Sequence, residues 1–148
     1  MLETPRIVEA DEQLTAVVSF RVPRTEIVEA MGAGRMELIE VLARQGIEPA
    51  GPWFSRHHRM DPEWFDFEVG LPVARPVAPE GRVTPSTLPA GRIALTVYHG
   101  DYEGLGTAWA DFMLWLEENG HQPAEQLWEH YAASEDGTPA TVLCRPVR

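Results

Sequence analysis

The chain has 148 residues, 44% of them hydrophobic, and carries 23 acidic residues against 12 basic ones, all arginine, for a net charge of -11. That length fits one domain over 1–148, and the charge repels phosphate backbones, which disfavours direct nucleic-acid binding and favours cationic ligands. No apolar run approaches the roughly 18 to 20 residues of a membrane span, the N-terminus lacks a secretory signal and the lone Cys144 has no internal disulfide partner, so a cytoplasmic protein away from the membrane is expected.

In chain order, "PRIVEADEQ" precedes "QLTAVVSFRV", whose Val18, Phe20 and Val22 alternate as in a strand with one buried face. Leu38, Val41 and Leu42 follow at helical spacing, and Gly46 falls where a C-terminal cap belongs. "PWFSRHH" and "WFDFEVGL" are strand-like. The connector with Pro76, Pro79, Pro85 and Pro89 suits a linker and a strand leading into a turn at Leu88 to Gly91. The order of signals then returns: "GRIALTVYH" alternates at Ile93, Leu95 and Val97, a helical pattern runs through Leu105, Ala108, Trp109, Phe112 and Leu116, Gly120 sits at the cap, and "QLWEHYA" and "ATVLCRPV" close the chain.

A shift of 74 residues superposes Leu42 on Leu116, Gly46 on Gly120, Pro49 on Pro123, Ala50 on Ala124, Pro72 on Pro146 and Val73 on Val147 without a gap. Identities at glycine and proline, which punctuate structure, mark a duplication, with copies at about 6–74 and 81–148. The expected fold is α+β, a doubled strand-helix-strand-strand module of about eight strands and two helices, with a cleft at the junction.

Period-two alternation sorts residues by sheet face. If Ile93, Leu95 and Val97 pack on the helix, Tyr98 points away from it. An unpartnered Glu129 against the helix would cost on the order of 2 to 7 kcal/mol. Glu129 and Tyr131 are therefore expected on the face opposite the helices, with Trp128 and Phe54 in the core. Phe65, Phe67 and Val69 would also fill the core, and Trp53, His57 and Trp64 would join the open face. Aromatic rings around one carboxylate suit a flat cationic molecule, each ring contact contributing roughly 0.5 to 2 kcal/mol. The same aromatics would equally serve to cover the sheet or to form a homodimer contact.

"GDYEGLGTAWADFMLWLEENGHQPAEQLWEHY", with "LPAGRIALTVYHG", "MDPEWFDFEVGLPV" and "PAGPWFSRHH", resembles the GyrI-like small-molecule-binding domain, the effector-binding domain of AraC-type and MerR-type multidrug-responsive regulators. The resemblance covers residues 13 to 147. It implies a duplicated fold with a cleft for cationic, lipophilic compounds, places the family's acidic pocket residue on Glu129, and matches its pocket aromatic positions to Tyr98 and Tyr131. Two departures stand out: Val142 replaces the glutamate of a Thr-Glu pair in the final hairpin, and His57 stands where tyrosine is frequent. The candidate ligand-binding set is Glu129, Tyr131, Tyr98, His57, Trp53, Trp64, Leu127 and Val142.

No cofactor motif is present, and no metal site is expected, since His57 and His58 are adjacent in a strand and point to opposite faces. The leading function is binding of an amphipathic small molecule, with regulation requiring a separate partner protein. A hydrolase opening strained electrophiles would use Glu129 as general base with Tyr98 or Tyr131. A third reading is an inhibitor that docks on a target protein, of the gyrase-inhibitor type.

Overall fold

Alternating strands and two amphipathic helices assemble as the pattern implies in the computed structural model, which describes residues 1–58 and 61–148; Met60, the first residue of "MDPEWFDFEVGLPV", lies outside the described residues. The elements are β1 (Arg6–Ala10), β2 (Gln13–Pro23), α1 (Ile27–Gln45), β3 (Phe54–His57), β4 (Trp64–Pro72), β5 (Thr84–Leu88), β6 (Gly91–His99), α2 (Leu105–Glu118), β7 (Leu127–Ala133) and β8 (Pro139–Pro146). The strands form one curled antiparallel sheet in the order β1-β6-β8-β7-β3-β4-β2-β5.

The duplication is visible bond by bond. Both helices end in the same left-handed glycine cap: Gly46 and Gly120 have φ of 65° and 74°, and the following amides of Ile47 and His121 donate to the carbonyls of Leu42 and Leu116, each at 2.9 Å. Pro49 bridges to Val73 as Pro123 does to Val147. The first strand of each copy is exchanged, since β1 pairs with β6 of the second copy and β5 pairs with β2 of the first. Each half of the sheet therefore contains an edge strand supplied by the other copy.

The offset between copies changes along the chain. Thr15 pairs with Pro72 while Ile93 pairs with Pro146, so β2 and β6 are displaced by 78 residues although their partners are displaced by 74. The difference of four residues is about one helical turn, and α1 has 19 residues against 14 in α2. Val18 thus corresponds to Thr96 and Phe20 to Tyr98. The expectation that Ile93, Leu95 and Val97 pack on a helix is overturned, because matching them to Val18, Phe20 and Val22 sets an offset of 75 where the sheet register gives 78, and a difference of three, being odd, inverts every side chain of a strand.

On the helix side, α1 sets Leu38, Val41 and Leu42 over Val18, Phe67 and Val69, and α2 sets Phe112 and Leu116 over Ala94, Leu143 and Val147. Tyr98 packs under α2, its hydroxyl against Gly100 and Gly104. On the other face Val17, Phe54, Leu88, Ile93, Trp128 and Cys144 form a separate apolar cluster enclosed by the curl. Trp128 and Phe54 are thus buried as expected, but away from the helices. No helix of the described residues is long and apolar enough to cross a membrane.

Candidate functional site

The two helices cover the flanks of the sheet and leave its centre open on their own side, and there a cleft of about 790 Å³ lies between α1 and α2. Its floor comes from β3 and β7, which meet at the middle of the sheet and pair Ser55 with Glu129 and His57 with Leu127. Ser55 and Glu129 are also equivalent under the 74-residue repeat, so the pseudo-twofold axis passes between them. Gly32 on α1 and Gly106 on α2 line opposite walls, and a Cβ at either would meet nothing within 4 Å.

Of the residues singled out in the sequence, Glu129, Tyr131, His57, Trp53 and Leu127 line the cleft. They do so on the helix side, which corrects the expected face. Glu129 is tolerated there because it is not unpartnered: Trp109 Nε1–H donates to its Oε2 at 2.5 Å and the Tyr131 hydroxyl donates to its Oε1 at 2.6 Å. Tyr98, Trp64 and Val142 do not line this cleft. Tyr98 is under α2, Trp64 is 41% exposed and faces the Arg21 guanidinium at 5.7 Å, and Val142 is on the other face with Cys144.

The polar floor forms a chain with one direction. Tyr131 commits its proton to Glu129, so Ser55 Oγ, 2.6 Å from the phenol oxygen, must donate to it. Ser55 Oγ in turn accepts from His57 Nε2 at 3.3 Å, which places the imidazole proton on Nε2 and leaves Nδ1, buried and without a partner among the described residues, as a bare acceptor. Burial, with the charges of Arg24 and His58 adding to it, pushes His57 down to about 4. Burial, then the neighbouring Glu129 carboxylate, holds the Tyr131 phenol well above its usual range. Both groups therefore keep their neutral forms at pH 7.

His57 makes stability depend on pH. Its folded value of about 4 lies below the ordinary 6.5, so the unfolded chain binds the proton first. Its contribution is complete above pH 6.5 and is lost as pH falls towards 4, by about 3 kcal/mol. Urea denaturation at pH 7 and pH 4.5 should show a smaller loss in His57→Phe than in the wild type; equal losses would remove His57 as the source.

Rings supply the walls. Trp53 and Tyr131 lie 4.6 Å apart, and Tyr102, 56% exposed, stands edge-on to Tyr131 at 6.1 Å. Trp109 and Tyr102 were missed as site residues because Trp109 fits the apolar stripe of α2 and Tyr102 lies in a turn. An indole N–H on a buried helix face needs an acceptor, and that signal could have tied Trp109 to Glu129. Three arginines, Arg24, Arg35 and Arg145, also line the cleft. Among the described residues no group of three or more His, Cys, Asp or Glu side chains could hold a metal ion.

The profile of the GyrI-like small molecule binding domain matches residues 3–145. Among solved structures, the EcmrR C-terminal domain superposes with a TM-score of 0.79 at 20% identity, over 98% of this chain and 97% of that one. In the EcmrR–DNA complex the TM-score is 0.77 at 19% identity, over 98% of this chain, which spans 57% of that longer chain. SAV2435 bound to tetraphenylphosphonium superposes with a TM-score of 0.72 at 9% identity, over 99% of this chain and 94% of that one, and a hydrolase from Listeria innocua with 0.61 at 12%, over 97% and 91%. No curated protein matches the sequence. With nearly its whole length matched to that profile, the chain belongs to the GyrI-like small molecule binding domain family.

Proposed function

We propose that the chain binds amphipathic aromatic compounds between α1 and α2, to sense or sequester them. The observation that carries this reading is a single carboxylate, Glu129, at the centre of a ring-lined cleft and fixed there by Trp109 and Tyr131. Trp53 and Tyr131 offer stacking faces, and Glu129 retains lone pairs for a cationic or hydrogen-bond-donating group. The binding of tetraphenylphosphonium by SAV2435 supports the same use of a shared fold.

Hydrolysis is the second reading, favoured by the adjacent carboxylate and phenol. Ser55 would not be its nucleophile, because its proton is given to Tyr131 and His57 Nε2 is a donor, so the work would fall to Glu129 and water.

Quenching of tryptophan fluorescence by rhodamine 123, a planar cation, tests binding. Gly106→Trp fills open space in the cleft wall, so it should leave the thermal midpoint within a few degrees and weaken the dye at least tenfold. Unchanged affinity in that variant would place the dye outside the cleft.

A further inference from the structure

The charges of the cleft run against those of the protein. The chain as a whole carries -11, yet among the described residues the charged side chains lining the cleft are three arginines and one glutamate. A seat for a simple cation would need the reverse.

Arg145 is the arginine most closely built into the site. Leu143 is the cross-strand partner of Glu129, and Arg145 lies two residues further along β8, on the same face. Such diagonal neighbours lie about 7–8 Å apart, within reach of a long side chain. The two charges make no ion pair with each other, nor does Arg145 with any carboxylate among the described residues. Each is instead held by α2 one turn apart: Trp109 donates to Glu129, while Arg145 Nη1 donates to Met113 Sδ at 3.4 Å and its Nε to the Ala124 carbonyl at 2.8 Å. Desolvation lowers the pKa of this guanidinium, the mark of a cation that lacks an anion. Arg35, on the opposite wall, lies 4.9 Å over the Trp53 ring and likewise makes no ion pair among the described residues. An approaching cation would find the Trp53 face already taken by a positive charge.

We infer that the cleft is built for amphoteric aromatic compounds, whose cationic or donor group meets Glu129 while a carboxylate or similar anion meets the Arg145 guanidinium, with Arg35 beside the ring. A fork of donors at fixed geometry favours a planar carboxylate in particular. This rests on the proposal that aromatic compounds bind in the cleft, and adds the second charge.

Two dyes with one ring system separate the claims. Rhodamine 110 carries a free carboxylate and is a zwitterion at pH 7.5; rhodamine 123 is its methyl ester and a cation. The intact chain should bind rhodamine 110 at least tenfold more tightly. Arg145→Gln should weaken rhodamine 110 at least tenfold and leave rhodamine 123 bound as well as before or better, while Arg145→Lys should retain part of the preference, and Arg35→Gln, at an exposed position, should reduce it. Equal binding of the two dyes by the wild type, or tighter binding of rhodamine 123, would overturn the inference and leave aromatic binding standing, whatever the variants do. A preference that survives both Arg145→Gln and Arg35→Gln would also overturn it, and binding of neither dye would remove the underlying reading as well.

Discussion

Glu129→Gln should weaken rhodamine 123 at least tenfold and lower the unfolding free energy by about 1 to 3 kcal/mol. The carboxylate accepts from two donors, Trp109 Nε1–H and the Tyr131 hydroxyl. A glutamine offers one oxygen and one NH₂ group, so one donor would face another donor unless Tyr131 turns its proton to Ser55. Ser55 would then have to donate to His57 Nε2, moving the imidazole proton to Nδ1, which is buried and has no partner among the described residues. Either outcome buries an unmatched N–H, and the ligand also loses its countercharge. Urea denaturation and dye titration of the same samples check both halves; an unchanged stability would show that the proton chain does not run from His57 to Glu129.

Gly70→Val should cost about 3 kcal/mol or more, enough to lower the thermal midpoint by roughly 6 to 12 °C. Gly70 lies opposite Phe54 in the β3–β4 pair, and a Cβ there would stand 2.4 Å from Phe54 Cζ and 2.9 Å from both Cε atoms. Phe54 is fully buried and packs against His130 at 5.4 Å, so the ring has nowhere to withdraw. The effect should be non-additive: Phe54→Leu alone opens a cavity, whereas the two changes together should cost less than their sum. Strict additivity, read by denaturation of the four proteins, would refute the contact as the cause.

The duplication, the strands and the left-handed caps were legible because glycine, proline and period-two alternation act locally. The sheet face of the site was not. Alternation correctly grouped Glu129 with Tyr131, and Ser55 with His57, but both faces of β6 and β7 are apolar in places, since a second cluster around Phe54, Trp128 and Ile93 fills the curl. A hydrophobic stripe therefore could not show which side bore the helix. Like runs of alternation added to this, setting Ile93, Leu95 and Val97 against Val18, Phe20 and Val22 at an offset of 75 where the sheet register gives 78. Burial of an unpartnered Glu129 would be costly, but the helix side is neither dry nor without donors. Trp109 supplies the donor, and the gap between α1 and α2 supplies the opening. The roles of Arg35 and Arg145 were hidden because neither belongs to a local pattern; only the packed tertiary arrangement sets them beside the glutamate.

Two identical subunits sharing this architecture would have to present the same residue twice at their common centre, either a pair of hydroxyls or a pair of acids crowded together. Joining the halves in one polypeptide lifts that rule. Ser55 faces Glu129, and Leu71 occupies the place in the first half that Arg145 holds in the second. The seat consequently has a left and a right, so an unsymmetrical guest has one preferred way round in it.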